Sequence, residues 1–540
     1  MWHLALVFLS ALSHGFCQAP WWSNTVYYRI LVDSFKDGDG DGLGDLKGAI
    51  KQLSYVRAVG ADAVILSSLS SRSKDCSKPG VIDFAAIDER FGDIDTFNIF
   101  MEKAKKIDLK VVATLPLRTV SCDSEWFSSS ADRVPGFEDR IVWLEGSADD
   151  PPPNESDSIK WVWHEPRSAY WKFVNGEALL DLCSEAIAGA LSAAQCAWIR
   201  RGVNGLLLNP DFLDQKCGEN LLKRLSSEAV SCARGAGMDI PVILVESSLH
   251  PETAIMYYGE NGAGANSIIS TALAMPTRPS AASLGIAAHA AMLIAPPDAL
   301  PTWITSASGE SRTTSRYGSE LVDAVNLLAL TLPGAAIIQQ GDELGAADTI
   351  LEWATNNNCW PHPGVTSASP FPWDDTVNGG FTAGEPWLPL APNYRYANAK
   401  TEFKNDFSHA SVVKVAAAMR KSPAMGPHAE IKRLSGALAV LRWGGSGSLL
   451  TVANLARDIT DVQLSRIPGL PAEMTVVISS AGSRYSTGSH IAIDKSLKLG
   501  PGEAVLFAGG PRHCGGPGPV DKIATKITEG WQKLNKYFGS

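Results

Sequence analysis

Arg201-Gly202-Val203-Asn204-Gly205-Leu206-Leu207-Leu208-Asn209-Pro210 is the stretch on which the fold turns. Its centre, 206–208, is an apolar run too short for a helix, bounded by Gly205 on one side and Asn209-Pro210 on the other. Further short apolar runs stand at 26–32, 63–66, 111–115, 242–245 and 335–338, and segments of helical period separate them. Buried strands alternating with helices make βα units around a parallel sheet. Their number and spacing suit a (β/α)8 TIM barrel, an α/β fold, better than an open sheet.

Outward from that core, the barrel reads as residues 18–120 and 178–421. The intervening 121–177 is too long for a simple loop and contains Pro151-Pro152-Pro153, which predicts a small inserted subdomain. After residue 422 the pattern changes to spaced strands at 437–443, 449–455, 462–464, 474–478 and 504–508, with Gly and Ser turns and no long helices. This predicts a C-terminal antiparallel β-sandwich over 422–512. A Cys514-Gly515-Gly516-Pro517-Gly518-Pro519 break then opens a Gly/Pro linker and tail over 513–540.

A chain of 540 residues suits one barrel-sized domain with a smaller companion. The formal net charge of −10, with Lys and Arg scattered, argues against a nucleic-acid groove, which needs a clustered basic face. Residues 4–12 form an apolar run of signal-peptide length, followed by small residues placed for cleavage after Cys17, so 1–17 is expected to be removed and the chain secreted. Eight cysteines then remain, an even count that favours disulfides, and no pair has metal-ligand spacing. Asn154-Glu155-Ser156 makes Asn154 a candidate glycan site.

Several ordered motifs resemble those of secreted maltases, the α-glucosidases of glycoside hydrolase family 13 in the α-amylase superfamily. They are Trp21-Trp22, Val26-Tyr27-Tyr28, Ser34-Phe35-Lys36-Asp37, D-G-D-G-L-G-D-L-K at 39–47, Ile87-Asp88 with Phe91-Gly92, Glu125-Trp126-Phe127, Trp373-Asp374, and Pro386-Trp387-Leu388-Pro389-Leu390 with Asn393-Tyr394. The resemblance implies a barrel with its site at the C-terminal strand ends, a subdomain inserted after the third strand, and a C-terminal β-sandwich.

The same resemblance places the catalytic positions. Retaining glucoside hydrolysis needs a nucleophilic carboxylate and a carboxylic acid about 5 to 5.5 Å apart. The nucleophile falls on Asn209, whose neutral amide cannot form a glycosyl-enzyme intermediate, and the substrate-binding Arg two residues earlier falls on Leu207. The acid/base position falls on Glu246, which is retained. The transition-state Asp falls on Gly309 and its neighbouring His on Ser308. Strand three has Thr114, Arg118 and Thr119 where the family has Asp, Asn and His, and the Tyr-Asp pair that holds the sugar falls on Pro79-Gly80. Asp211 and Glu310 are the neighbouring carboxylates. Each sits roughly 3 to 7 Å along the chain from the position it would have to fill, a large displacement against the roughly 0.5 Å tolerance of a catalytic group.

Asp37, Asp39, Asp41 and Asp45 supply hard oxygens on one tight loop suited to Ca²⁺, although Gly48 stands where an EF-hand needs its bidentate Glu. The resemblance adds the Leu43 carbonyl as a further ligand of a structural Ca²⁺. Cys76 and Cys122 follow strands two and three, and a rim disulfide between them is expected. In the tail, Val520, Ile523, Ile527, Trp531, Leu534 and Phe538 form a stripe with lysines mostly off it, a helix over 520–538 that packs on the sandwich, binds a partner, or lies on a membrane surface. The leading expectation is a maltase-like pseudoenzyme acting in binding, interaction, structure or storage, with a protein partner or small ligand at the barrel mouth. The alternatives are an active α-glucosidase with a rearranged site and an extracellular partner subunit resembling amino-acid transporter heavy chains. Those subunits carry a cytoplasmic tail and a membrane-spanning helix, neither of which is read here.

Overall fold

The computed structural model describes residues 20–511, except 76, 151, 153–154, 157–158, 210–214, 248–250, 260–262, 297–298, 308, 354–365 and 445. The expected signal segment, Asn154 and the tail helix therefore lie outside the described residues.

Eight parallel strands close into a barrel: β1 Val26–Ile30, β2 Ala63–Leu66, β3 Lys110–Leu115, β4 Gly205–Leu208, β5 Val242–Glu246, β6 Ser267–Ser270, β7 Thr302–Ile304 and β8 Ala335–Gln339, with β8 pairing back onto β1. Successive residues alternate between two environments, as the strand period of two requires. Tyr27, Ala63, Ile65, Val112, Leu207 and Leu244 pack together inside the barrel. Tyr28, Val64, Val111, Leu206, Leu208 and Val245 face the surrounding helices. The barrel is thus a filled core and not a channel.

The opening stretch shows how the strands are registered. Helix Glu185–Arg200, capped by the Ser184 hydroxyl on the Ala186 amide, is followed by Gly202 at φ +93, a left-handed turn that favours glycine. Asn204 then donates its amide to Val111 O while its Oδ1 accepts from Val111 N at 2.9 Å. Asn266 does the same on β5, donating its amide to Ile243 O while its Oδ1 accepts from Ile243 N at 2.7 Å. Gly205 is required by packing, because a Cβ there would lie 2.5 Å from the Val242 side chain.

Strands β6 and β7 escape a search for apolar runs, and the reason is internal to the barrel. Ser267 and Thr302 face each other within it, their hydroxyls 2.8 Å apart, with Ser267 Oγ also donating to Leu300 O. Two polar residues that satisfy one another are tolerated in an otherwise apolar core.

Between β3 and β4 a five-stranded antiparallel sheet gathers Thr119–Val120, Trp143–Glu145, Ile159–His164, Ala169–Val174 and Glu177–Leu179. Beyond the barrel, a six-stranded antiparallel sheet contains β9 His428–Leu434, β10 Ala437–Gly444, β11 Gly447–Asn454 and, further on, the strands Glu473–Ser479, His490–Ala492 and Ala504–Gly509. One face, including Leu438, Val440 and Leu449, joins the barrel's outer core. The other, including Ala439, Leu441 and Leu450, is covered by the two-stranded sheet Thr460–Gln463 with Ser496–Leu499.

Disulfides Cys183–Cys217 and Cys196–Cys232 join helix Glu185–Arg200 and its approach to helix Gln215–Ala236, the pair flanking β4. Among the described residues Cys122 is a free thiol; Cys76, its expected partner, lies outside them. Among the described residues, no helix is long and apolar enough to cross a membrane.

Candidate functional site

Glu246 ends β5 and Arg29 lies near the end of β1, on strands that face each other across the barrel. Both have the inward parity, and both are buried, at 4% exposure for Arg29 and 7% for Glu246. Their side chains meet as a bidentate pair: Arg29 Nη1 donates to Oε1 at 2.9 Å and Nη2 to Oε2 at 2.5 Å. A general acid must carry a proton on an oxygen that faces the leaving group. Here each carboxylate oxygen already accepts a charge-assisted N–H, an arrangement that a proton on either oxygen would oppose.

The other positions are spread or filled. Asn209 is exposed just past β4, while Leu207 is 1% exposed within the barrel core. Thr114 donates its hydroxyl to Leu66 O at 2.7 Å, a bond between strands and not one directed to a ligand. Gly309 sits exposed at φ +76, a conformation that costs most side chains energy, and Ser308 lies outside the described residues.

The Pro79-Gly80 corner is closed by the inserted segment. Gly80 is buried at φ +111, and a Cβ on it would lie 2.8 Å from the Glu177 carboxyl carbon. Glu177 in turn accepts from the Thr119 hydroxyl and from Arg72 Nη2 at 3.5 Å. Gly80, Thr119 and Arg72 thus meet at Glu177.

Asp33, which the motif reading passed over, stands beyond the end of β1 on the short helix Val32–Phe35. Burial pushes its carboxyl up to about 6, against the opposing pull of the Ser34 hydroxyl and the Arg72 charge. Part of its surface reaches solvent, yet protein crowds it closely enough for desolvation to win. Deeper, burial pushes Glu343 up to about 7 although Tyr28 and Tyr55 both donate to its Oε1 at 2.7 Å. Burial likewise raises the Cys122 thiol to about 11. Arg29 and Asp33 carry no motif signal of their own; the periodicity places Arg29 inward, but only the fold supplies its partner.

On the loop before helix Leu46–Val59, carboxylate oxygens of Asp37, Asp39 and Asp45 come within 4.8 Å of one another. Backbone amides hold them: Asp37 accepts from Asp39, Gly40 and Gly42 and from the Thr382 hydroxyl, and Asp45 accepts from Gly38 and Gly48. Asp41 instead accepts from Leu43 N at 2.8 Å and stands outside the trio. Burial raises Asp45 and Asp41, whereas at Asp37 the hydrogen bonds outweigh burial and hold the carboxyl below its usual range. The donor set fits a hard divalent cation.

A closed parallel barrel, a subdomain between its third and fourth strands and an antiparallel C-terminal sheet define the architecture of the α-amylase class. The family described as "Alpha amylase, catalytic domain" matches residues 29–210 and 284–426, and the chain belongs to it. The match skips the stretch that holds β5 and Glu246. Maltase 1 of Drosophila virilis is 26% identical over 553 residues, covering 90% of this chain and 86% of that protein. The salivary alpha-glucosidase of Aedes aegypti is 23% identical, covering 88% and 92%. Among solved structures, the alpha-glucosyl transfer enzyme XgtA superposes with a TM-score of 0.75 at 25% identity, over 91% of this chain and all of that one. The trehalulose synthase MutB of Pseudomonas mesoacidophila gives 0.74 at 20% identity over 91% and 99%, a likeness of fold.

Proposed function

We propose that this chain is a secreted, maltase-like pseudoenzyme whose barrel serves binding, interaction, structure or storage and not hydrolysis. The observation that carries the reading is the buried Arg29–Glu246 pair, which occupies both oxygens of the one retained catalytic carboxylate. Asn209 and Gly309 support it by leaving neither a nucleophile nor a transition-state carboxylate at the matching positions. A protein segment or small ligand at the barrel mouth would meet the Arg72–Glu177–Asp33 neighbourhood. Secretion is supported by the apolar run at 4–12, the two disulfides and the salivary α-glucosidases among its relatives. Ca²⁺ at Asp37, Asp39 and Asp45 would tie the loop before helix Leu46–Val59 to the segment bearing Thr382, a structural role.

One observation favours the second reading, an active α-glucosidase with a rearranged site: the Asp33 carboxyl at about 6 lies in the range a general acid needs. Turnover of maltose and sucrose separates the two. The pseudoenzyme reading expects no glucose release, because the catalytic positions are replaced. Release that is lost in Asp33→Asn would support the rearranged enzyme.

A further inference from the structure

Helix Ala281–Ile294 carries two apolar stripes, and the described residues cover only one of them. Ala281, Leu284, Ala288 and Ala291 are buried against the barrel and sheet. Ile286, His289 and Leu293 point the other way, with Ile286 71% exposed and Leu293 45% exposed. These residues, with Ile431 and Leu438 of the C-terminal sheet, line a groove of about 490 Å³. Leu438 packs close beneath the helix, since a Cβ on Gly285 would lie 3.3 Å from it. The groove runs along β9, the edge strand of that sheet. Contiguous apolar surface of this kind marks a place where something docks.

We infer that the groove receives the chain's own C-terminal segment, 520–538, as an amphipathic helix. The chain's exit and the linker's reach carry the inference. The last described strand runs beside β11, with Gly509 opposite Ser448, Ser448 opposite Trp443, and Trp443 opposite His428 at the start of β9. Three strand spacings of about 4.8 Å, followed by three to five residues along β9 at about 3.3 Å each, put the groove about 20 Å from the exit. Residues 512–519 bridge the two. They are rich in Gly and Pro and span at most about 28 Å extended, with a root-mean-square reach of about 16 Å if flexible. A linker whose reach matches the span gives an effective concentration near its maximum, in the millimolar range.

The segment that follows has the matching chemistry. Val520, Ile523, Ile527, Trp531, Leu534 and Phe538 recur at helical spacing, and Lys522, Lys526, Lys533 and Lys536 fall mostly off that stripe, where they would stay in water. Its 19 residues would make a helix of about 28 Å, longer than the groove-lining helix of 14 residues. Docking would cover the outward stripe and the edge of the sheet together.

Hydrogen exchange read by mass spectrometry on the full chain tests this, with full-chain Ile286→Asp and Trp531→Glu as the two variants. Both changes are at positions whose loss leaves the barrel core intact, and circular dichroism checks that each variant folds. Trp531→Glu is expected to speed exchange in 281–294 at least tenfold, and Ile286→Asp to do the same in 520–538. If neither variant alters exchange in the opposite segment, the inference is overturned. It is equally overturned if protection of 281–294 depends on protein concentration and tracks a dimer by sedimentation. Protection of 520–538 seen only with added phosphatidylserine vesicles would also overturn it, assigning the tail to a lipid surface.

Discussion

Arg29 and Glu246, 217 residues apart in the chain and on opposite strands of the barrel, close its interior with two parallel hydrogen bonds in a buried ion pair. A pair of this kind is costly to break from one side only. Removing either charge leaves the other desolvated and uncompensated, at about 3–5 kcal/mol.

Glu246→Gln is therefore expected to lower stability by about 3–5 kcal/mol, a severe loss for a folded domain. The paired change Arg29→Met with Glu246→Leu is expected to recover most of it, because apolar residues of similar volume can replace a buried pair at little cost. Urea unfolding of the three proteins checks this, and a Glu246→Gln protein as stable as the parent would refute the clamp.

Asp33 predicts a pH dependence with a definite sign. Its carboxyl is raised to about 6 in the folded chain, against about 3.9 when unfolded, so the folded state binds the proton more tightly. Its contribution is fully present below about pH 4 and is lost as pH rises through 6, a change of about 1–3 kcal/mol. Asp33→Asn should flatten the fall in stability between pH 4 and 7, measured as melting temperature against pH. Identical profiles for parent and variant would remove Asp33 from the account.

Calcium at the acidic loop should stabilise the fold by mass action, by about 2.7 kcal/mol at a hundred times its dissociation constant. Chelation is expected to lower the melting temperature, and Asp37→Asn to abolish that response. Asp41→Asn should leave the response largely intact, since Asp41 lies outside the carboxylate trio. Equal loss in both variants would count against the trio.

The cysteines divide into two behaviours. Replacing Cys183 and Cys217 by Ser releases a 34-residue separation and should cost about 3–4 kcal/mol. Cys122, raised to about 11 by burial, should alkylate slowly at pH 8 in the folded protein and rapidly on unfolding. Fast labelling of native Cys122 would contradict its burial.

The barrel was legible because β1 to β5 and β8 are runs of apolar residues with helical segments between them. Strands β6 and β7 were not, since Ser267 and Thr302 satisfy each other inside the core and hide its period. Asn209 and Gly309 could be assigned to the family's catalytic positions because they stand in motifs with fixed spacing, and the loss of chemistry there belongs to the proposed function. Arg29 could be placed inward by strand parity, yet its pairing with Glu246 depends on barrel closure, which no local pattern records. The same holds for Gly80, Thr119 and Glu177, which meet only because the inserted sheet folds back on the loops after β2 and β3. The regular spacing of the acidic loop did not record that the turn brings Asp37, Asp39 and Asp45 together while Asp41 accepts from Leu43 N.

Loss of hydrolysis is tested by turnover of p-nitrophenyl α-glucoside and maltose by the purified full chain beside its Glu246→Gln variant. No release above the uncatalysed background is expected from either protein. Turnover by the parent that disappears in the variant would contradict that loss.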